Sequence, residues 1–216
     1  MSDPRQIGLF DEGGDIVLDP GAVVLKGFAA AQGPDLLAAI AAVEAAAPFR
    51  HLITPGGRRM SVAMTNCGPA GWVSDARGYR YQAADPDSGL PWPPMPPLFS
   101  DLAERAAAAA GFAGFTPDAC LINRYVPGSR LTLHQDRDEN DMGAPIVSVS
   151  LGLPARFLWG GLTRGAPVRR LPLLHGDVVV WGGPSRLAFH GIDTLMDGEH
   201  PLTGPLRYNL TFRRAL

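Results

Sequence analysis

The stretch Leu133-His134-Gln135-Asp136-Arg137-Asp138-Glu139 contains the pair of residues around which the rest of the chain can be interpreted. In an extended strand, residues two apart leave the same face, so His134 and Asp136 would present an imidazole nitrogen and a carboxylate to one point. A metal that reacts with oxygen needs such a pair, one more imidazole and an open coordination face. His-x-Asp also occurs by chance in many chains, so the pair alone does not establish a metal site.

A third ligand has to come from one of the four other histidines, His51, His175, His190 and His200. His175 precedes a Gly-Asp turn, and His51 and His200 lie in charged or proline-containing stretches typical of the surface. His190 ends a short apolar segment directly before the last strand. We therefore predict that His190 completes the site.

The pattern around this stretch indicates a mainly β protein with flanking helices. Apolar residues at helical spacing predict helices over 34–47 and 98–110. Short alternating or apolar runs separated by glycine and proline predict strands at 22–25, 60–66, 119–125, 130–134, 145–152, 156–159, 168–174, 177–181, 186–190 and 206–213. The eight strands from residue 119 onward favour a sandwich or barrel, and jelly rolls have this number.

Residues 67–97 show no long periodic element, although they contain four large aromatic residues, Trp72, Tyr79, Tyr81 and Trp92. These rings could simply fasten loops to the body of the protein. Alternatively, they belong to a mobile lid that stacks on a flat ligand. We expect residues 1–15, which are polar and glycine-rich, to lie over the surface.

The composition excludes several classes of protein. A net charge of −2 and a pI near 6.2 do not predict a nucleic-acid-binding domain, so any polyanion would have to bind a local basic patch. Arg50, His51, Arg58 and Arg59, with Arg77, Arg80 and Arg164, could supply one, or could be ordinary solvated side chains. Two cysteines are too few for a disulfide framework, and both are expected to be reduced and buried. We expect no signal peptide and no membrane span, hence a cytoplasmic protein.

The last predicted strand has two chemically different faces. Arg207, Asn209, Thr211 and Arg213 share one face, and Tyr208, Leu210 and Phe212 share the other. A surface strand would show the same alternation. Two arginines around an asparagine would also bind a dicarboxylate well, because guanidinium pairs bidentately with carboxylate. Asn123 and Tyr125, again on one strand face, could complete that pocket.

Taken together, these motifs resemble the iron(II)/2-oxoglutarate-dependent dioxygenases, and within them the AlkB-type enzymes that repair alkylated nucleic acid. The matching segments are 54–57, 60–67, 71–72, 117–125, 133–136, 146–153, 175–183 and 207–213. They cover nearly the whole chain except roughly the first twenty residues. The Arg-x-Asn-x-Thr-x-Arg strand is the specific part of the resemblance.

The resemblance implies a double-stranded β-helix (jelly-roll) core over about 116–216, preceded over about 1–115 by an N-terminal extension and a helical, loop-rich nucleotide-recognition lid within one domain. His134, Asp136 and His190 would hold Fe(II), with 2-oxoglutarate and O2 as cosubstrates. Arg207 and Tyr125 would bind the distal carboxylate of 2-oxoglutarate, and Asn123, Asn209 and Arg213 would position the rest.

The resemblance also implies a substrate and the residues that bind it. Trp72 would stack on the damaged base against His134, Asp138 would contact the exocyclic amine of the base, and Tyr79 would contact the backbone. Thr54, Met64 and Arg164 would line or flank the groove, and Leu131, Ser148 and Trp181 would shape the pocket. The implied reaction removes the methyl group of 1-methyladenine or 3-methylcytosine and releases formaldehyde, succinate and CO2.

The implied partner is single-stranded DNA, with RNA and duplex DNA as further candidates, bound by a monomer that needs no protein partner. Two other functions stay open at this point. An iron/2-oxoglutarate hydroxylase of a small molecule or a protein side chain would share the metal and arginine residues. A non-catalytic jelly-roll binding module would use His134, Asp136 and His190 as ordinary polar residues.

Overall fold

The computed structural model describes residues 14–216 of the chain. Its strands are Ile16–Asp19 (β1), Ala22–Leu25 (β2), Ala63–Cys67 (β3), Gly71–Asp75 (β4), Gly78–Gln82 (β5), Ala119–Tyr125 (β6), Leu131–His134 (β7), Ile146–Gly152 (β8), Ala155–Trp159 (β9), Arg169–Leu173 (β10), Val178–Trp181 (β11), His190–Ile192 (β12) and Arg207–Arg213 (β13). Its α-helices are Gly33–Ala46 (α1) and Pro97–Ala109 (α2), and two short 3-10 turns cover Ala30–Gln32 and Gly183–Ser185.

The larger sheet has seven antiparallel strands in the order β1-β2-β11-β8-β13-β6-β3. The strand with the arginines, β13, lies near its middle, between β8 and β6. Its register places Arg207 opposite Tyr125 and Asn209 opposite Asn123. The four predicted pocket residues therefore meet on one face of the sheet.

At its central strands, β11, β8 and β13, this sheet is buried on both faces, and on β8 and β13 one face is apolar and the other polar. On β8, Val147, Val149 and Leu151 pack with the helices, while Ser148 and Ser150 point to the other side. The helices contribute the apolar stripes predicted from the sequence, including Leu36, Ile40 and Val43 of α1 and Phe99, Leu102 and Ala106 of α2. Burying a large aliphatic or aromatic side chain contributes roughly 1.5–3 kcal/mol, so this layer supplies much of the stability of the fold.

The smaller sheet has four antiparallel strands in the order β10-β9-β12-β7, and it faces the inner side of the larger sheet. A second apolar core lies between the sheets and includes Phe157, Trp159, Val179 and Trp181. Two facing antiparallel sheets are the arrangement of a jelly roll. The predicted mainly β fold with two helices is confirmed.

A two-stranded hairpin, β4–β5, lies within the segment for which the sequence predicts no long element. Its strands have five residues each, and both begin with glycine, so their periodicity is weak. We call β4–β5 the recognition hairpin. The proline-rich run that follows leads directly into α2, as a rigid connector would.

One predicted strand is wrong. Residues 186–190 do not form a strand; the 3-10 turn at 183–185 continues into a further turn, and β12 begins only at His190. The reason is that the Arg186 side chain turns into the protein, where it is 4% exposed and donates to the Asp136 and Ala144 carbonyl oxygens.

The helix bounds and the state of the cysteines are close to those predicted from the sequence. The two helices begin and end one residue earlier than predicted. Both cysteines are buried and free, as expected.

The surface position expected for residues 1–15 concerns mostly residues outside the described part of the chain. Strands β1 to β3 join the larger sheet, so the predicted division near residue 116 does not coincide with a boundary of that sheet. Within residues 14–216, neither helix has the length and hydropathy needed to cross a membrane.

Candidate metal centre and cosubstrate pocket

His134, Asp136 and His190 form one cluster, as predicted, in which each residue offers a ligand atom within 4.8 Å of the other two. His134 Nε2 lies 3.5 Å from Asp136 Oδ1, and His190 Nε2 lies 3.8 Å from Asp136 Oδ2. The register of the smaller sheet brings the histidines together, because His190 on β12 is directly opposite His134 on β7. Two imidazoles and one carboxylate are the ligand set of non-haem iron(II) oxygenases.

Both imidazole rings are oriented by backbone carbonyls. The Nδ1 atom of His134 is 2.9 Å from the Thr132 oxygen, and that of His190 is 3.0 Å from the Ala188 oxygen. A proton on each Nδ1 leaves the Nε2 lone pair directed at the cluster, as a metal ligand requires. Burial, followed by the nearby His134, lowers the pKa of His190 to about 4, which keeps its ring neutral near pH 7.

Asp136 stays ionised although it is only 8% exposed. Arg213 donates to its Oδ2 atom from Nε at 2.9 Å and from Nη2 at 2.6 Å. Burial raises the pKa of Asp136, but the charge and hydrogen bonds of Arg213, with smaller effects of the nearby His190 and His134, outweigh it, and the pKa lies well below its usual value. The third ligand is therefore a charged carboxylate held by a guanidinium.

A second group of buried polar atoms lies beside the cluster, on the inner face of the larger sheet. Arg207 is completely buried; its Nη2 atom donates to Ser150 Oγ at 3.1 Å, and its guanidinium lies 4.8 Å from the centre of the Tyr125 ring. Asn209 donates to Ser148 Oγ at 2.8 Å. Within the described residues, the buried atoms that lack a hydrogen-bond partner are Asn123 Oδ1, Trp181 Nε1, Arg207 Nε, Arg207 Nη1 and Arg213 Nη1.

A bound dicarboxylate would accept hydrogen bonds from the donors among these unpartnered atoms. Leaving a buried charged donor unpaired is costly, and burial already lowers the pKa of Arg207. Four of the five unpartnered atoms are N–H donors, three of them on guanidinium groups. The residues present thus fit both iron(II) and 2-oxoglutarate.

The predicted substrate residues Trp72, Tyr79 and Asp138 also lie together. Trp72, on β4, donates from its indole Nε1 to Asp138 Oδ2 at 3.0 Å. The Trp72 and Tyr79 rings are stacked, with centroids 5.5 Å apart and planes 13° from parallel. Asp138 is exposed and follows the metal ligand Asp136 by two residues. The recognition hairpin is therefore attached to the loop that carries the metal ligand.

The remaining predicted residues are distributed around the site. Met64 is buried on β3 opposite Asn123, and Arg164 lies over the ring of Phe189, the residue before His190, at 5.0 Å. Trp181 is buried with its ring 4.7 Å from that of His190. Three others occupy separate positions: Thr54 caps a turn by accepting from the Arg58 amide, Leu131 packs on the inter-sheet core, and Ser148 accepts from Asn209.

Three residues of the site were missed by the sequence interpretation: Tyr81, Glu139 and Arg186. Glu139 is 7% exposed and accepts from Tyr81 Oη at 2.7 Å and from Arg186 Nη2 at 3.0 Å. The signals in the sequence were the acids Asp136, Asp138 and Glu139, which look the same whether buried or solvated, and the aromatic residues of 67–97, among them Tyr81.

His51 contacts the Met60 carbonyl oxygen through Nδ1 at 2.8 Å, and the arginines expected to form a local patch divide into two groups. Arg50 pairs with Asp85 and Asp87, and Arg77 and Arg80 both pair with Asp75. Arg58, Arg59 and Arg164 are exposed and form no ion pair with residues 14–216. Only this second group has charge available for a polyanion.

Comparisons with known proteins point to the same iron(II) and 2-oxoglutarate chemistry. The profile of the 2OG-Fe(II) oxygenase superfamily matches residues 21–213. The chain is similar to the alpha-ketoglutarate-dependent dioxygenase AlkB of Escherichia coli, with 59% identity over 92% of each chain, and to that of Salmonella typhimurium, with 58% identity over 92% of each. The solved structure of OsALKBH1 superposes with a TM-score of 0.82 at 31% identity and covers 93% of this chain and 99% of that one.

Proposed function

Because the chain belongs to the 2OG-Fe(II) oxygenase superfamily and, within it, to the AlkB family of alpha-ketoglutarate-dependent dioxygenases, we propose that it dealkylates 1-methyladenine and 3-methylcytosine in single-stranded DNA. The chain is an iron(II)/2-oxoglutarate-dependent dioxygenase, and its relatives support oxidative dealkylation of nucleic acids. What we propose beyond this is the lesion, 1-methyladenine or 3-methylcytosine, and the single-stranded form of the DNA. The observation that carries it is the Trp72–Asp138 pair beside the metal cluster.

His134, Asp136 and His190 would hold Fe(II) in this enzyme. The chemistry supplied by iron(II), 2-oxoglutarate and O2 is hydroxylation of the N-methyl carbon, which releases formaldehyde, succinate and CO2. We propose that Arg207 binds the distal carboxylate, with Tyr125 beside it. Asn123 and Asn209 lie on the same sheet face and would contact the rest of the cosubstrate.

Arg213 has a different role in the structure from the one expected, because its guanidinium holds Asp136 rather than facing only the cosubstrate. Its Nη1 atom is buried and has no partner among the described residues. We propose that Arg213 both fixes the carboxylate ligand and donates to 2-oxoglutarate from Nη1.

The two residues of the recognition pair suit a methylated base. Alkylation of the Watson–Crick edge makes 1-methyladenine and 3-methylcytosine cations, and the Asp138 carboxylate would favour that charge. A flat cation stacked on Trp72 gains roughly 1–3 kcal/mol. The base has to leave its stack to reach the cluster, which costs a few kcal/mol in a duplex and less in a single strand. This difference favours single-stranded DNA.

Incubation with a single-stranded oligonucleotide that carries one 1-methyladenine or 3-methylcytosine, together with Fe(II), 2-oxoglutarate and ascorbate, tests the proposal. We expect mass spectrometry to show loss of the methyl group with matched formation of succinate. Succinate formation with an unchanged oligonucleotide would instead favour hydroxylation of a small molecule or a protein side chain. The unmethylated oligonucleotide is the control.

Trp72→Ala and Trp72→Phe separate recognition from the metal chemistry. Trp72→Ala should weaken binding of the methylated oligonucleotide by about tenfold or more, since it removes the stacking surface. Substrate-independent decay of 2-oxoglutarate should persist, because Trp72 is not part of the metal cluster. Trp72→Phe should retain part of the affinity. Equal loss of both activities in Trp72→Ala would show that Trp72 has a structural role only.

We further propose that the enzyme acts as a cytoplasmic monomer without an obligate protein partner. RNA and duplex DNA remain candidate substrates that the same assay can rank. Light scattering at assay concentration measures the oligomeric state directly.

A further inference from the structure

Glu139 is a buried carboxylate at the centre of a hydrogen-bonded cluster that the assigned metal and cosubstrate roles do not use. Its Oε1 atom accepts from Tyr81 Oη at 2.7 Å and lies 3.2 Å from Arg213 Nε, and its Oε2 atom accepts from Arg186 Nη2 at 3.0 Å. Burying such a charge is costly unless it is paired, so these three partners fix where Glu139 lies.

The cluster leads directly to a metal ligand. The guanidinium of Arg213 contacts both Glu139 and Asp136. Its Nε atom lies 3.2 Å from Glu139 Oε1 and 2.9 Å from Asp136 Oδ2. Arg186 also touches both residues, because its Nη1 atom donates to the Asp136 backbone oxygen at 2.7 Å. Two carboxylates and two guanidinium groups, each less than a tenth exposed, thus form a neutral unit around one side of Asp136.

The other end of the cluster lies in the recognition hairpin. Tyr81, on β5, is directly opposite Trp72 on β4, so the two side chains share a face of the hairpin. Burial raises the pKa of Tyr81, so its phenol stays protonated and donates to Glu139. The hairpin therefore makes two hydrogen bonds to the loop after β7, one from Trp72 to Asp138 and one from Tyr81 to Glu139.

We propose that Tyr81 and Glu139 are positioning residues that link the recognition hairpin to Asp136 through Arg213, so that nucleic-acid binding and metal binding strengthen each other. The part concerning nucleic acid rests on the proposed function. A ligand that holds the hairpin against the 136–139 loop also holds Glu139 and Arg213 in the arrangement that orients the Asp136 carboxylate. Because such a coupling is reciprocal, metal bound at Asp136 raises the affinity of the hairpin for its ligand by the same factor.

The test measures the dissociation constant for Mn(II), which binds imidazole and carboxylate ligands, in the full chain without oxygen and with 2-oxoglutarate present. It is measured with and without a single-stranded oligonucleotide carrying 1-methyladenine. In the native protein the oligonucleotide should tighten Mn(II) binding about 5-fold or more. In Tyr81→Phe, which removes only the hydroxyl group, this coupling factor should fall toward one while both ligands still bind.

Tyr208→Phe is the matched control, because it removes a hydroxyl group from β13 on the face that packs toward the helices. It should keep the native coupling factor. Equal coupling in Tyr81→Phe and the native protein, or no coupling in the native protein, overturns the link between the hairpin and the metal.

A second variant tests the positioning role without nucleic acid and serves if Tyr81→Phe does not fold. Glu139→Gln keeps the shape of the side chain but leaves Arg213 and Arg186 with one carboxylate fewer. Mn(II) binding should weaken about tenfold or more, as is typical when a partner of a metal ligand is changed. Unchanged or tighter binding overturns the role of Glu139. If the oligonucleotide binds to no form of the protein, the proposed function is wrong, whereas this metal measurement still decides the positioning role.

Discussion

Asp136 and His134 are both metal ligands, yet they are embedded differently in the protein. Asp136 neutralises the buried Arg213, whereas the His134 side chain is 33% exposed and has one orienting contact, to the Thr132 carbonyl oxygen. Removing one partner of a buried ion pair costs about 3–5 kcal/mol, because the other charge stays uncompensated. The same ligand set thus contains one residue that stabilises the fold and one that mainly binds metal.

His134→Ala should abolish Fe(II)-dependent 2-oxoglutarate turnover while changing the free energy of unfolding of the metal-free protein by about 1 kcal/mol or less. Asp136→Ala should lose turnover and also about 3–5 kcal/mol of stability. Succinate formation and urea unfolding measure the two effects. His200→Ala, outside the cluster, should keep native turnover. Unchanged turnover in Asp136→Ala would show that the metal assignment is wrong.

Arg207→Lys tests the cosubstrate pocket at a single residue. Lysine keeps the charge but loses the planar fork, and hydrogen bonds to charged groups are worth about 1.5–3 kcal/mol each. We expect the affinity for 2-oxoglutarate to fall about 10- to 100-fold, measured by calorimetry with Mn(II) and without oxygen. Arg156→Lys, whose side chain is 62% exposed on β9, should bind 2-oxoglutarate like the native protein. Equal affinities in both variants would remove Arg207 from the pocket.

The recognition hairpin depends on the loop that follows it. Arg50 donates to both oxygens of Asp85, at 2.8 and 2.5 Å, and its guanidinium lies 5.4 Å from the centre of the Trp92 ring. Trp92 in turn donates to the Gln82 carbonyl oxygen at the end of β5. The ion pair therefore fastens the end of the hairpin to the segment before β3.

The Arg50–Asp85 pair should make stability depend on pH. Burial raises the pKa of Asp85, but the hydrogen bonds from Arg50 outweigh it and the pKa lies below its ordinary value. A lowered pKa means that the pair stabilises the fold fully above the unfolded-state pKa of about 3.9, and that this contribution is lost as the pH falls below that value. Asp85→Asn should thus cost about 1–3 kcal/mol at pH 7, by urea unfolding, and progressively less below pH 4.

Asp87→Asn is the matched control for that measurement. Asp87 also pairs with Arg50, at 3.3 Å, but its side chain is 68% exposed. Exposed ion pairs contribute little, so the stability of this variant should stay close to native. A loss at pH 7 that is the same for both variants would contradict the role given to Asp85.

The sequence predicted the long strands of the larger sheet but not the two short strands of the recognition hairpin. The strands β6, β8 and β13 have seven residues each, and their pattern located them within one or two residues. The strands β4 and β5 have five residues each and mix glycine with polar and aromatic residues. Each strand also makes a hydrogen bond to the 136–139 loop, which lies more than fifty residues away in the chain and which a local pattern does not show.

The whole molecule has a net charge of −2, and Arg58, Arg59 and Arg164 are exposed and form no ion pair with residues 14–216. If Arg58, Arg59 and Arg164 each neutralise one phosphate, the logarithm of the oligonucleotide affinity should fall with the logarithm of salt concentration with a slope of about −2. Fluorescence anisotropy over a salt series measures this slope. Arg59→Gln should reduce it by about 0.7, and Arg105→Gln, on α2, should not change it. A slope steeper than about −5 would indicate a much larger phosphate footprint.

Across the molecule, the sequence predicted which residues share a strand face but not what covers each face. The alternation on β13 was equally compatible with a surface strand, and burial on both sides became visible only with the helices and the second sheet in place. Glu139 and Asp138 are adjacent acids, one buried and one exposed. The two acids differ because Arg186 and Arg213 lie beside Glu139 in the folded protein. The local sequence pattern does not reveal partners so far away in the chain.

The position of His134 on β7 has a consequence for handling the protein. β7 is the outermost strand of the smaller sheet, paired on one side with β12. Metal coordinated by His134 and His190 would act as a cross-strand staple, and without it the edge can fray and offer its amides to another copy of the chain. Chelator treatment should therefore speed amide hydrogen exchange in 131–134 and promote self-association. The metal would then protect the protein from aggregation in addition to its part in the reaction.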